Sequence, residues 1–224
     1  MKKGQLKNLK SLINFKSELE ETHTLIHALE TQIMATEQLL TFTKAKDSPD
    51  YKKFQKYLEI NEGQTSKLFE LGFVALCANF ECFMFEILKE LFKKYPTSFR
   101  SEKIVKYEDL KDFSDIAEIK EYFIDSVAIE KSYDIEAWAE FLLKRFQIKI
   151  FKSKKDLERI RALNAVRNII LHSGGKTSSR FRKEMSTFLK VPVPIGKPFK
   201  LDRKKYFGVL YTVYSTVIRN IENA

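Results

Sequence analysis

One of three histidines in this chain, His172, closes the stretch Leu163–Lys176, which reads Leu-Asn-Ala-Val-Arg-Asn-Ile-Ile-Leu-His-Ser-Gly-Gly-Lys. Arg167, Asn168 and His172 are residue types suited to phosphate chemistry. An imidazole exchanges protons near neutral pH, a guanidinium grips a phosphate through two parallel hydrogen bonds, and a carboxamide orients either group. The stretch reads as helix up to the glycine pair. On a helix Arg167 has Leu163, Asn164, Ile170 and Leu171 at i±3 and i±4, so a permanent cation stands among mostly apolar neighbours and calls for an anionic partner. Asn168 and His172 are four apart and share one face. Arg167 and His172 are five apart, roughly 140° around an ideal helix. They converge on one ligand only if the helix end unwinds or a second copy of the chain completes the site.

Other constellations carry less. His23 and His27, four apart, could form a metal pair with Glu20 or Glu30, but nothing fixes a third ligand. Cys77 and Cys82 are five apart in one apolar helical run, point in different directions, and read as free thiols rather than a disulfide or metal pair. Gly174-Gly175-Lys176-Thr177 invites comparison with a phosphate-binding loop, yet position 170, where that loop needs glycine, is Ile, and no strand precedes it. Gly-x-Ser-x-Gly, His-Glu-x-x-His and Cys-x-x-Cys patterns are absent, which leaves hydrolase triads and zinc chemistry unsupported. No metal and no cofactor is expected.

The net charge of +10 is unevenly distributed. Residues 144–205 hold 19 Lys and Arg against 4 Asp and Glu, whereas residues 1–143 hold 20 against 25. The positive excess thus lies in the segment containing Arg167 and His172, and points to a polyanion, nucleic acid, as partner. Lys154, Lys155, Arg159, Arg161 and Lys176 are the candidate RNA-binding cations around the motif. Met1–Lys10 is basic but no apolar core of a signal peptide follows. The most apolar run, Phe73–Phe92, contains Glu81, Glu86, Lys89 and Glu90, so no membrane span is expected and the chain reads as cytoplasmic.

The elements that must position these residues are helical. Few glycines (7) and prolines (5) among many Leu, Phe, Lys and Glu argue for long helices and few turns. From about Leu6 to Thr43, Leu12, Leu19, Ile26, Ile33 and Leu40 recur every seven residues, with Phe15, Thr22, Leu29 and Thr36 three further on, the pattern of a helix packed lengthwise on a neighbour. Pro49 fits a first helical turn, Gly63 reads as the end of a short helix, and Thr65 or Ser66 as the cap of a second long one running to Tyr95. Within it Glu81 has Val74, Cys77, Ala78, Met84, Phe85 and Leu88 at helical spacing, a carboxylate centred on an apolar stripe, for which Arg167 is the natural partner. Residues 97–113 read as irregular. Helices are expected at about Ser114–Lys131, Ile135–Phe151, Lys154–His172 and Arg180–Leu189, followed by an extended Val191–Pro198 loop and a closing helix over Leu201–Ile221. No domain boundary stands out.

Taken together, Arg167-Asn168-x-x-x-His172 at a helix end, the glycines after it, and Glu81 on an earlier apolar helix make a chain that resembles the HEPN superfamily of helical ribonucleases and nucleotide-binding domains. The resemblance implies an all-α, HEPN-like helical bundle forming a single domain over residues 1–224, with residues 1–62 a helical extension and 63–224 the core. It also implies metal-independent endoribonuclease activity. His172 and Arg167 would be catalytic with Asn168, Glu81 would be a positioning residue, and two copies would face each other in a homodimer. A toxin–antitoxin or phage-defence setting, with an antitoxin protein as partner, comes with it. Domains of this kind that accept AMP carry Tyr two residues after the motif histidine; here that position is Gly174. The superfamily also includes non-catalytic modules that bind RNA or protein, which is the alternative.

Overall fold

The computed structural model describes residues 6–42, 49–98, 106–132, 134–172, 174–185, 188 and 194–224. The fold is all-α: α1 Lys10–Phe42, α2 Pro49–Lys94, a 3-10 turn Pro96–Ser98, α3 Tyr107–Leu110, α4 Ile116–Ser132, α5 Ile135–Phe146, α6 Lys154–His172, α7 Ser179–Met185 and α8 Arg203–Glu222. Among the described residues there is no strand, only an isolated bridge between Lys176 and Pro198.

Local signals explain four of the helix starts. Asp115 Oδ1 accepts from Glu118 N at 2.9 Å while the Glu118 carboxylate returns to Ser114 N at 2.8 Å, a reciprocal cap for α4. Asp134 accepts from Glu136 N and Ala137 N to open α5. Ser153 Oγ accepts from Asp156 N and donates to its carboxylate at 2.7 Å, opening α6. Asp202 accepts from Lys205 N at 3.0 Å to open α8. Two expectations are corrected. Gly63 does not end a helix: α2 runs through it without a break, since one glycine costs only about 1 kcal/mol inside a run of helix formers. The α5 helix stops at Phe146 rather than Phe151, because Gln147 turns left-handed at φ 61° and its N–H closes on Leu142 O and Leu143 O. After it the chain is extended, burying Ile148 and Ile150 while exposing Lys149, a period of two rather than 3.6.

The chain divides into two compact units. The first comprises Met1–Lys16, Ala78–Leu157 and Val213–Ala224. Its core is aromatic: Phe15 stacks on Phe83 at 4.6 Å, Phe80 stacks on Tyr214 at 4.2 Å, and the buried Trp138 meets Phe80 and Phe83 edge-on. Ser11 donates from backbone and hydroxyl to Glu90, Lys89 pairs with Asp125 at 2.9 Å, and buried Asn220 donates to Ile150 O at 2.7 Å. That hydrogen bond to Asp125 raises the Lys89 ammonium above its ordinary range.

The second unit comprises Ser17–Cys77 and Glu158–Thr212. Phe207 packs edge-on against Phe69 and Phe73, and Tyr206 against Phe199. From Leu12 to Ile33 the seven-residue pattern of α1 follows burial: Leu12, Phe15 and Leu19 are buried, and Thr22, Ile26, Leu29 and Ile33 half-buried, while the side chains of Thr36 and Leu40 lie outside the described ones. Cys77 is buried, Cys82 exposed, and both are free thiols. The helical stretch Ser66–Lys94 is long and apolar enough to cross a membrane by length and composition, with mean hydropathy 1.7 over its richest window, and 44% of that window is buried inside the protein.

Candidate functional site

Helix α6 carries the motif and runs as regular helix to His172. Its inner side is small and aliphatic: Ile160, Ala162, Leu163, Ala165, Val166 and Ile169 are all buried. This side locks the helix in place and fixes what its outer side presents. Arg161, Asn168, Leu171 and His172 are exposed, with Asn164 and Arg167 half-buried between the two sides.

Arg167 donates from Nη1 to Asn168 Oδ1 at 3.2 Å. The carboxamide therefore holds the guanidinium rather than the imidazole, although Asn168 and His172 do share the exposed face. Because α6 stays regular to its last residue, the unwinding that would swing Arg167 and His172 together does not occur within one chain. Their side chains leave the axis roughly 140° apart.

The helix ends as the glycine pair requires. Gly174 has φ 55° and Gly175 φ 74°, and Gly175 N–H closes back on Ile169 O at 3.1 Å. There is open space where a Cβ would stand at both positions, so glycine is needed for backbone conformation, not room.

Beyond the glycines the chain does something the sequence did not announce. Thr177 is buried and ties this loop to residues 194–199. Its N–H donates to Lys197 O at 3.0 Å, its carbonyl accepts from Gly196 N at 2.8 Å, and Phe199 N donates to Gly175 O at 2.7 Å. The Thr177 hydroxyl lies within hydrogen-bonding distance of Pro194 O and Lys197 O and accepts from Lys197 N. The segment whose sequence does not fit a phosphate-binding loop is an internal clasp. A Thr two residues after the glycine pair was the only signal, and its partners lie 17 and 20 residues away.

The remaining expected residues are placed as follows. Lys154, Lys155 and Lys176 are exposed, as is Arg161, and Arg159 is half-buried. Lys154 and Lys155 belong to the first unit, and Arg159, Arg161, Arg167, Asn168, His172 and Lys176 to the second. Glu81 is a correction: it is exposed, not centred on a buried stripe. Its helical neighbours Cys77, Met84 and Leu88 are buried while Glu81 itself is exposed, so burial alone does not call for a cationic partner. Glu81 belongs to the first unit and Arg167 to the second. On α1, His23 lies against the Tyr211 ring at 4.3 Å and its ring is 6.4 Å from that of His27. Among the described residues no group of three or more His, Cys, Asp or Glu could hold a metal.

The surface at the end of α6 therefore offers a held guanidinium, an exposed imidazole and neighbouring cations. A guanidinium is suited to binding a phosphodiester and an imidazole to exchanging a proton with a hydroxyl, although within one chain the two point apart. Comparison with known protein families, curated proteins and solved structures returns no match.

Proposed function

We propose that this chain is a metal-independent endoribonuclease of HEPN type that works as a homodimer in the cytoplasm, in a toxin–antitoxin or phage-defence setting. The observation that carries the proposal is the end of α6, where Arg167 is steadied by Asn168 and His172 is exposed on a regular helix. The excess of cations over residues 144–205 supports RNA as the polyanion.

In the reaction proposed, a neutral His172 imidazole takes the proton of a ribose 2′-hydroxyl. The oxygen attacks the adjacent phosphorus, a new O–P bond forms and the P–O5′ bond breaks. A protonated His172 of the second copy gives its proton to the departing 5′ oxygen. The products are a 2′,3′-cyclic phosphate and a 5′-hydroxyl. Arg167 neutralises charge accumulating on the non-bridging oxygens, with Asn168 fixing its plane. Two copies resolve two difficulties together, because one imidazole cannot be acid and base at the same instant and α6 points its own Arg167 and His172 apart.

A second reading, a non-catalytic HEPN-like module that binds RNA or protein, draws on Leu171, which is 46% exposed between Asn168 and His172. An apolar side chain on that face suits a partner surface. The test is cleavage of single-stranded RNA in EDTA by the wild-type chain and by His172→Ala. Wild type should cut and leave cyclic-phosphate ends, and His172→Ala should lose about 100-fold or more in rate, the scale of general acid–base contributions. Intact RNA with wild type, or equal cutting by the variant, would rule out the nuclease and leave the binding module.

A further inference from the structure

The Thr177 clasp sets together cations that are far apart in sequence. Lys176 pairs across the isolated bridge with Pro198, which places it beside Lys197, and Lys200 follows two residues on. All three lysines are exposed. The backbone beneath them is held by the Thr177–Lys197, Gly196–Thr177 and Phe199–Gly175 hydrogen bonds. The carboxylates nearest in sequence have other partners. Between Gly174 and Lys205 the only carboxylates are Glu184 and Asp202; Glu184 pairs with Arg180 Nε at 2.8 Å, and Asp202 caps α8 through Lys205 N. Among the described residues no carboxylate pairs with Lys176, Lys197 or Lys200. A fixed backbone carrying three unneutralised ammonium groups is a surface for closely spaced anions. Lys176 is four residues beyond His172, so their Cα atoms lie at most about 14 Å apart.

We infer that Lys176, Lys197 and Lys200 form a subsite for the phosphodiester backbone of single-stranded RNA, holding phosphates next along the strand from the one at Arg167 and His172. The subsite rests on the nuclease reading for its substrate and extends it to lysines outside the motif. It reads charge and spacing, not base identity.

The test uses the full chain carrying His172→Ala, so that RNA stays intact, and measures binding of a labelled single-stranded RNA by fluorescence anisotropy across a salt series. Adding Lys176→Gln, Lys197→Gln and Lys200→Gln together should flatten the slope of log affinity against log salt by roughly two and weaken binding roughly 10–100-fold near 0.1 M salt. The control is Lys52→Gln, Lys53→Gln and Lys56→Gln, an equal loss of charge from exposed lysines on α2, which should change affinity less than about threefold. Unchanged binding in the first triple variant, or equal weakening in both, overturns the subsite. So does clasp-dependent binding to phosphatidylserine vesicles by a chain that leaves RNA unbound. Cleavage by the parent chain is read separately. No cleavage with triple-dependent RNA binding overturns the nuclease and keeps the subsite, whereas cleavage with triple-independent binding overturns the subsite alone.

Discussion

The Thr177 hydroxyl is buried among backbone groups of residues 194–197, and no water can replace it easily there. Thr177→Val keeps the shape and removes the hydroxyl, leaving Lys197 N without that acceptor and a carbonyl without its donor. The expected loss is about 1–3 kcal/mol in urea unfolding, and Thr177→Ser, which keeps the hydroxyl, should lose about 1 kcal/mol or less. Equal stability of Thr177→Val and wild type would mean the clasp contributes nothing. At this scale the sequence was informative about residue types and poor about partners. Arg167, Asn168 and His172 could be picked out by chemistry and spacing, and the left-handed glycines after them by composition. That Asn168 serves the guanidinium could not, because two rotamers of the same residue satisfy the same helical geometry. Glu81 misled because a stripe was drawn through it from i±3 and i±4 neighbours. Burial on a helix falls off within one residue's rotation, and 81 lies just past the edge.

At the scale of elements, helix starts were legible because caps are local, while ends and continuations were not. Gln147 adopts a conformation usually reserved for glycine, so nothing in its type marked the end of α5. The N-terminus of α8 shows what tertiary packing adds. Tyr206 is buried against Phe199 and Phe188, and burial, aided by the Asp202 charge, pushes its phenol up to about 12 from an ordinary 10.0. A pKa raised on folding means that the native state holds the proton more tightly. Its contribution is therefore intact below pH 10 and is lost as pH rises from about 10 to about 12. In that window the unfolded chain ionises first, a shift worth roughly 2–3 kcal/mol. Alkaline titration followed by tyrosine absorbance, compared between wild type and Tyr206→Phe, should show a late step that belongs to Tyr206. Tyr206→Phe should remove that late step and flatten the corresponding fall in stability. Ionisation of all nine together near pH 10 would contradict the burial argument.

At the scale of the whole molecule, helical content was legible from composition, but the organisation into units was not. Each of α1, α2, α6 and α8 contributes residues to both compact units, and no change in composition marks the places where membership switches. The motif itself holds one imidazole, His172, and the other two histidines, His23 and His27, are far from it in sequence, on α1. The homodimer we propose makes a quantitative demand. If each cleavage site needs both copies of His172, a dimer of one wild-type and one His172→Ala chain is inactive. Activity then falls with the square of the wild-type fraction: after subunit exchange at equal amounts, about one quarter of full activity should remain, against about one half for self-sufficient chains. Sedimentation at micromolar concentration gives the independent check. A monomer that still cleaves, or a mixture retaining half its activity, would place both proton transfers on one chain and remove the case for a shared cleft.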